Sequence, residues 1–220
     1  MALTWTHAFF AVAAGKTVTS RKLPLRFWLL IAVCAGIPDI DVFWRGLVTD
    51  RSGIWVHRGI AHSLLAAVLF GLLAAVIYWV CKPRISNLQG QSGGSNALAT
   101  SQPPGQVPRR GRAFPLFWLV FTLATASHAF LDMLSSGYRG VMLLAPFDDY
   151  RYSFSWQPIW SMPHWVAQMF PNLMEHGGRG TWIFRATISE VVVVWVPMTV
   201  LLLFSRSVRR LRSKNHGASK

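Results

Sequence analysis

Carboxylates are scarce in this chain. Asp and Glu number 8 among 220 residues, against 22 Lys and Arg, and charged residues of all kinds make up 14%. A soluble domain carries about 25% charged residues, so an ordinary water-facing surface is excluded. Cysteine is scarcer still. Cys34 and Cys81 lie in apolar runs with neither CxxC nor zinc-finger spacing, which excludes a zinc finger or a dense disulfide framework and leaves both as small buried residues. No Lys or Arg precedes Lys16, so the first segment lacks the basic n-region of a signal peptide. Residues 11–14 (Ala-Val-Ala-Ala) are cleavage-like, and a processed leader remains the competing reading of that segment. No internal repeat is present.

Hydrophobic residues make up 52% of the chain and gather in five runs: residues 1–15, 27–44, 59–81, 113–134 and 186–205. A sequence pI near 11.2 would suit a nucleic-acid binder. The basic residues, however, stand between long uncharged runs rather than along an amphipathic surface, which is a membrane pattern. We therefore expect membrane lipid, and no nucleic acid, as a partner. The fold class expected is all-α: a multi-pass transmembrane helical bundle of about four to five spans with an outward-facing interfacial cap. The first run is short for a bilayer core of about 30 Å.

The hydrolase-like membrane domain is expected over residues 1–205, followed by a basic tail, 206–220. Within it, residues 82–112 are rich in Gly, Ser, Gln, Asn and Pro and read as a disordered cytoplasmic loop. Residues 136–185 are long, turn-rich and aromatic, with Trp156, Trp160, Trp165 and Trp182, and read as a cap at the membrane interface, where Trp is favoured. If all five runs cross, residues 16–26, 82–112 and 206–220 share one side and carry 15 of the 22 Lys and Arg. The positive-inside rule makes that side cytoplasmic, with the N-terminus outside and the C-terminus inside.

Polar residues at membrane depth are costly and mark function. At about 1.5 Å per helical residue, Asp39 lies roughly 21 Å above the cytoplasmic face, His62 roughly 28 Å, and His128 and Asp132 roughly 22 and 28 Å. His7 lies on the outward part of the first run. So His7, Asp39, Asp41, His57, His62, His128 and Asp132 converge near the outer end of the bundle, an agreement the apolar pattern did not require. His128 and Asp132 are four apart on one helix face. Pro38 ends the helix before Asp39 and frees Asp39 and Asp41 to face a cavity. His57 and His62 are five apart, which suits a loop histidine followed by a first-turn histidine with Gly59 between them. Imidazole with carboxylate suits a divalent metal, zinc first, with manganese or iron as alternatives. Seven donors exceed the three or four of one zinc, so one or two ions are expected.

Blander readings compete residue by residue. A lone membrane histidine is often just hydrogen-bonded to a neighbour. Asp39 can cap the following turn, Asp41 can pair with Arg45, and Asp132 can pair with Arg139 or Arg58. Together they must account for seven polar groups at one depth.

The stretches Thr6-His7-Ala8, Gly36-Ile37-Pro38-Asp39-Ile40-Asp41, His57-Arg58-Gly59-Ile60-Ala61-His62-Ser63 and Ser127-His128-Ala129-Phe130-Leu131-Asp132 resemble the YdjM-type family, as does the later Ala145-Pro146-Phe147. Its members are described as LexA-regulated, inner-membrane, metal-dependent hydrolases. The resemblance spans most of residues 1–160 and departs where Asp148-Asp149 follows the Pro-Phe. The Gly-x-Pro-Asp-x-Asp element and the paired histidines are also similar, more loosely, to zinc-dependent phospholipase C enzymes. The YdjM-type resemblance implies a metal-dependent hydrolase of the bacterial inner membrane, and the looser likeness implies phosphoester chemistry.

A site facing outward at the membrane surface then favours a lipid or lipid-linked phosphoester substrate. Arg58 and Arg151 are candidate phosphate clamps, with an interfacial anchor as the plainer reading of Arg58. Asp148 and Asp149 are candidate general bases, extra ligands or turn caps. His164, Glu175 and His176 are candidate cap ligands or plain surface groups. The alternative function is a metal-ion or proton transporter, or a metal-binding membrane protein without hydrolytic activity. A pathway needs polar groups along the whole depth, and the cytoplasmic half is nearly bare.

Overall fold

A computed structural model describes residues 4–19, 23–44, 53–81, 113–136, 140–160 and 179–218. The described chain is helical, and no strand occurs among those residues. In chain order the helices are α1 (Thr4–Val18), α2 (Leu25–Gly36), α3 (Leu64–Val80), α4 (Phe114–Met133), α5 (Arg179–Glu190) and α6 (Val196–Ala218). A single π turn, Val191–Trp195, joins α5 to α6. Two stretches are long and apolar enough to cross a membrane, Phe114–Met133 and Phe184–Leu211, and the shorter Leu64–Val80 is also apolar.

The interruptions carry physical causes. A residue before proline is pushed out of the α region and the proline lacks an N–H, and α2 gives way to a tighter 3-10 segment, Ile37–Trp44, just ahead of Pro38. At the start of α3, Ser63 is the N-cap, its hydroxyl accepting from the Ala66 N–H at 3.1 Å. His62 therefore ends a short 3-10 turn, Ile60–His62, immediately before the cap rather than sitting in the first turn of α3. Over residues 206–218 the chain continues as the end of α6. Arg209 on that helix donates to the carbonyls of Thr19 (2.8 Å) and Lys16 (3.0 Å), satisfying acceptors left over at the end of α1.

The main core lies among α1, α2, α3 and α4: Ala11, Phe27, Ile31, Cys34, Ala35, Ala74, Ala75, Tyr78, Phe121 and Ala124. Small residues let helices approach closely in a membrane, where dispersion contacts replace the hydrophobic drive. Gly71 is the extreme case. A Cβ there would come within 2.5 Å of the Thr122 backbone nitrogen, so α3 and α4 approach backbone to backbone at that point. A second cluster (Ala13, Leu131, Ile159, Val194 and Met198) seats the last helix against α1 and α4.

After α4 the chain runs over the site. Val141 and Tyr152 exchange N–H···O bonds of 2.9 and 2.8 Å, and the Ser136 N–H donates to Ile159. The Met142 N–H donates to the Arg58 carbonyl at 2.9 Å, and the Leu64 N–H donates to Leu143 at 2.9 Å. Residues 140–160 of the expected cap are thereby fastened to the loop that carries His57, while residues 179–185 open α5. Residues 82–112, His164, Glu175 and His176 lie outside the described residues.

Candidate metal centre

Four separate segments deliver the seven expected ligands to one place. α1 brings His7, the 3-10 segment brings Asp39 and Asp41, the 53–63 loop brings His57 and His62, and α4 brings His128 and Asp132. His7, Asp41, His62, His128 and Asp132 are at most 1% exposed. The His57 and Asp39 side chains, at 5% and 10%, are the least buried of the seven.

The loop owes its shape to Arg58 and Gly59. Arg58 has φ 63°, the left-handed region that costs a non-glycine residue energy and collects at functional sites. A Cβ on Gly59 would fall 2.1 Å from the Ile54 carbonyl oxygen and 2.6 Å from that of Val56, so only glycine fits. This tight turn points Arg58 inward. It is 1% exposed, and its Nη2 donates to Asp132 Oδ1 at 2.8 Å. Arg58 is therefore no interfacial anchor, and it pairs with Asp132; Arg139, the other partner considered, lies outside the described residues.

Two hydrogen bonds fix imidazole tautomers. His128 Nδ1 is 2.7 Å from the Ala35 carbonyl, which only accepts, so Nδ1 carries the proton and Nε2 is the basic atom. His57 Nδ1 is 2.7 Å from Asp41 Oδ1 and by the same reasoning donates. Such carbonyl and carboxylate partners orient metal-binding histidines. Asp41 Oδ2 accepts the Arg58 backbone N–H at 3.1 Å and lies 3.2 Å from His62 Nδ1. Asp41 thus orients its neighbours, with both oxygens engaged. Thr4, which sequence reasoning missed, donates to Asp39 Oδ2 at 2.7 Å. Its only sequence signal was its place one turn before His7.

The centre of the cluster is a ring of four donors. His62 Nε2 lies 3.4 Å from Asp132 Oδ2 and 3.9 Å from Asp39 Oδ1; His128 Nε2 lies 3.8 and 3.3 Å from the same two oxygens. Donors held about 2.1 Å from a tetrahedral ion stand roughly 3.4 Å apart. His62 Nδ1 and Nε2, His128 Nε2, Asp132 Oδ2 and both His7 nitrogens are buried without a hydrogen-bond partner among the described residues. Buried polar atoms are nearly always satisfied. The donor set therefore fits a cation. Two groups of three also meet metal-ligand spacing, His7 with His128 and Asp132, and Asp39 with His57 and His62. His7 stacks on His128 with ring centroids 3.7 Å apart.

The other candidates stand apart from this ring. The Asp148 carboxylate caps its own turn, accepting from the Tyr150 N–H at 2.9 Å and the Tyr152 hydroxyl at 3.1 Å, and Asp149 is exposed. Arg151 donates to the Gly140 carbonyl at 3.3 Å.

A helical membrane protein with a buried His/Asp centre is the class defined by these features. The sequence model described as "YdjM inner membrane protein" matches residues 1–211, and the chain belongs to that family. Inner membrane protein YbcI of Escherichia coli (strain K12) is 25% identical over 197 residues, 90% of this chain and 92% of that protein. No solved structure matches.

Proposed function

We propose that this protein is a membrane-bound metal-dependent hydrolase whose Asp39, His62, His128 and Asp132 hold one divalent cation. The observation that carries this reading is the four-donor ring, in which His62 Nε2, His128 Nε2 and Asp132 Oδ2 are buried without a hydrogen-bond partner among the described residues and Asp39 Oδ1 closes the ring. Charge supports it. Asp39, Asp41 and Asp132 bring three negative charges and Arg58 one positive, leaving two negative charges in a site too buried to tolerate them. One divalent cation restores balance. Zinc suits the donors best, and manganese or iron also fit.

When bound, the cation supplies Lewis acidity, polarising a phosphoryl oxygen and acidifying a water. The chain's own groups do the rest. His57, oriented by Asp41 and nearest the surface of the four histidines, takes a proton at Nε2. Arg58, inside the centre, is the cation for a phosphate oxygen; Arg151 shapes the Gly140 turn. A lipid or lipid-linked phosphoester is the substrate class, because the two least buried donors, Asp39 and His57, stand close in the chain to the exposed apolar residues Ile40, Phe43 and Trp55.

In the bilayer we place four to five crossings, counting the shorter apolar helices, with an outer cap, the N-terminus outside and the C-terminus cytoplasmic. A transport pathway has less support. The buried residues between the centre and the opposite end of α2, α3 and α4 are chiefly Phe27, Ile31, Ala74, Ala75 and Phe121.

The test is elemental analysis of detergent-purified protein beside a His62→Ala/Asp132→Ala double variant, followed by a phosphoester screen. One equivalent of zinc, manganese or iron lost in the variant, with metal-dependent release of phosphate or headgroup, is expected. No bound ion after reconstitution with each metal defeats the reading.

A further inference from the structure

Glu190 is the only charged residue between Arg185 and Arg206, and it is 1% exposed. Its carboxylate accepts the hydroxyl of Thr6, itself 1% exposed, on α1. The same hydroxyl accepts the indole N–H of Trp195 at 3.0 Å. Residues five apart on a regular α-helix point about 140° away from each other, so Glu190 and Trp195 would not meet at one atom. The π turn between them removes that offset. Its i→i+5 bond, from the Val196 N–H to the Val191 carbonyl, stacks residues five apart on one face. Trp195 also stacks on Phe9, with ring centroids 4.5 Å apart at 11°. The last helix thus grips the first turns of α1 on both sides of His7.

We infer that Glu190, Trp195 and Thr6 form a positioning clamp that holds His7 against His128 and Asp132, and that ion affinity at the centre depends on it. The inference rests on the proposed metal site only for its second half. His7 has no hydrogen bond of its own at either ring nitrogen among the described residues. Its place, stacked on His128 and 3.8 Å from Asp132 Oδ1, is therefore set by where α1 sits. Thr6, one residue away, is where the last helix fixes α1. A π turn costs regular helix geometry and is frequent at functional sites; here it serves to bring two side chains to one hydroxyl.

The test uses full-length, detergent-purified protein stripped of metal. Diethyl pyrocarbonate labelling of each histidine is followed by peptide mass spectrometry, and zinc affinity is measured separately. Glu190→Ala and Thr6→Val are expected to label His7 about fivefold faster or more, the loss of one buried hydrogen bond, with His62 unchanged. Zinc affinity should fall roughly 10–100-fold, the usual effect of losing an outer partner of a metal ligand. Glu190→Gln and Thr6→Ser keep an acceptor and a hydroxyl, and both should stay near wild type.

If the first two variants fail to fold, Trp195→Phe keeps the stack on Phe9, removes only the indole donor, and gives the same comparison. His7 labelling that stays at the wild-type rate overturns the clamp. Faster labelling with unchanged zinc affinity overturns its link to the ion. Faster labelling in a protein that binds neither zinc, manganese nor iron leaves the clamp standing and removes the metalloenzyme reading instead.

Discussion

Asp41 and His57 form a buried carboxylate–imidazole pair, Oδ1 to Nδ1 2.7 Å, and the second oxygen of Asp41 receives the backbone N–H of Arg58 at 3.1 Å. The carboxylate is thereby locked in place from the very turn it orients. An imidazole held this way keeps its proton on Nδ1 and its lone pair on Nε2.

Asp41→Asn should therefore leave the cation ring in place but unsettle the His57 tautomer. At saturating metal we expect turnover to fall by about 10²–10⁴, the usual worth of a positioned acid–base group. Ion stoichiometry by elemental analysis should stay at one. Loss of the ion at saturating metal, with no effect on turnover per bound ion, would assign Asp41 to ligation instead.

Arg58 Nη2 donates to Asp132 Oδ1 at 2.8 Å, the carboxylate oxygen that faces away from the ring. Arg58→Met leaves a buried carboxylate without that partner, a change that costs about 3–5 kcal/mol. Thermal unfolding of the metal-free variant should drop accordingly, and excess zinc should recover much of the loss. A variant as stable as wild type without metal would contradict the charge argument.

Gly59→Ala tests the turn. Its new Cβ meets two backbone oxygens, at 2.1 and 2.6 Å, and neither can swing away as a side chain does. A loss of about 3 kcal/mol or more is expected, read as a lowered melting temperature or failure to accumulate in the membrane.

Gly71→Leu tests the approach of α3 to α4 at Thr122. Overpacking there should destabilise by about 1–3 kcal/mol without changing zinc stoichiometry in the folded fraction, because the contact lies at the middle of both helices, more than a turn away from His62, His128 and Asp132.

Orientation has a direct readout. Alkaline phosphatase and green fluorescent protein fused after residue 220 should be inactive and fluorescent respectively, and a cysteine placed at Trp5, which is 78% exposed, should react with an impermeant maleimide from the periplasmic side. The opposite pattern reverses the proposed topology.

Much of the centre was legible from scarcity and depth. Asp39, His62, His128 and Asp132 sat at a countable distance from the basic end of an apolar run, His7, Asp41 and His57 lay at or beside the outward end of one, and all seven meet in the fold. What escaped was the division of labour among them. Asp41 was grouped with the ligands because its residue type and depth match theirs, yet both its oxygens face neighbouring donors. Arg58 was weighed as a surface anchor because arginine beside an apolar run usually is one; a left-handed backbone turns it inward. Thr4, Thr6 and the Ala35 carbonyl carry no pattern of their own and acquire meaning only from what packs against them.

The amino-acid sequence alone determined the all-helical class, the membrane family and the set of residues that meet, because apolar run length, charge placement and the proline break are one-dimensional properties of a chain in lipid. The pairing of each donor came only from the folded chain. Ligand distances, tautomers and the Glu190–Thr6–Trp195 contact depend on angles between helices remote in sequence, and those angles follow from close packing at residues such as Gly71 and from single turns such as Arg58-Gly59 and Val191–Trp195.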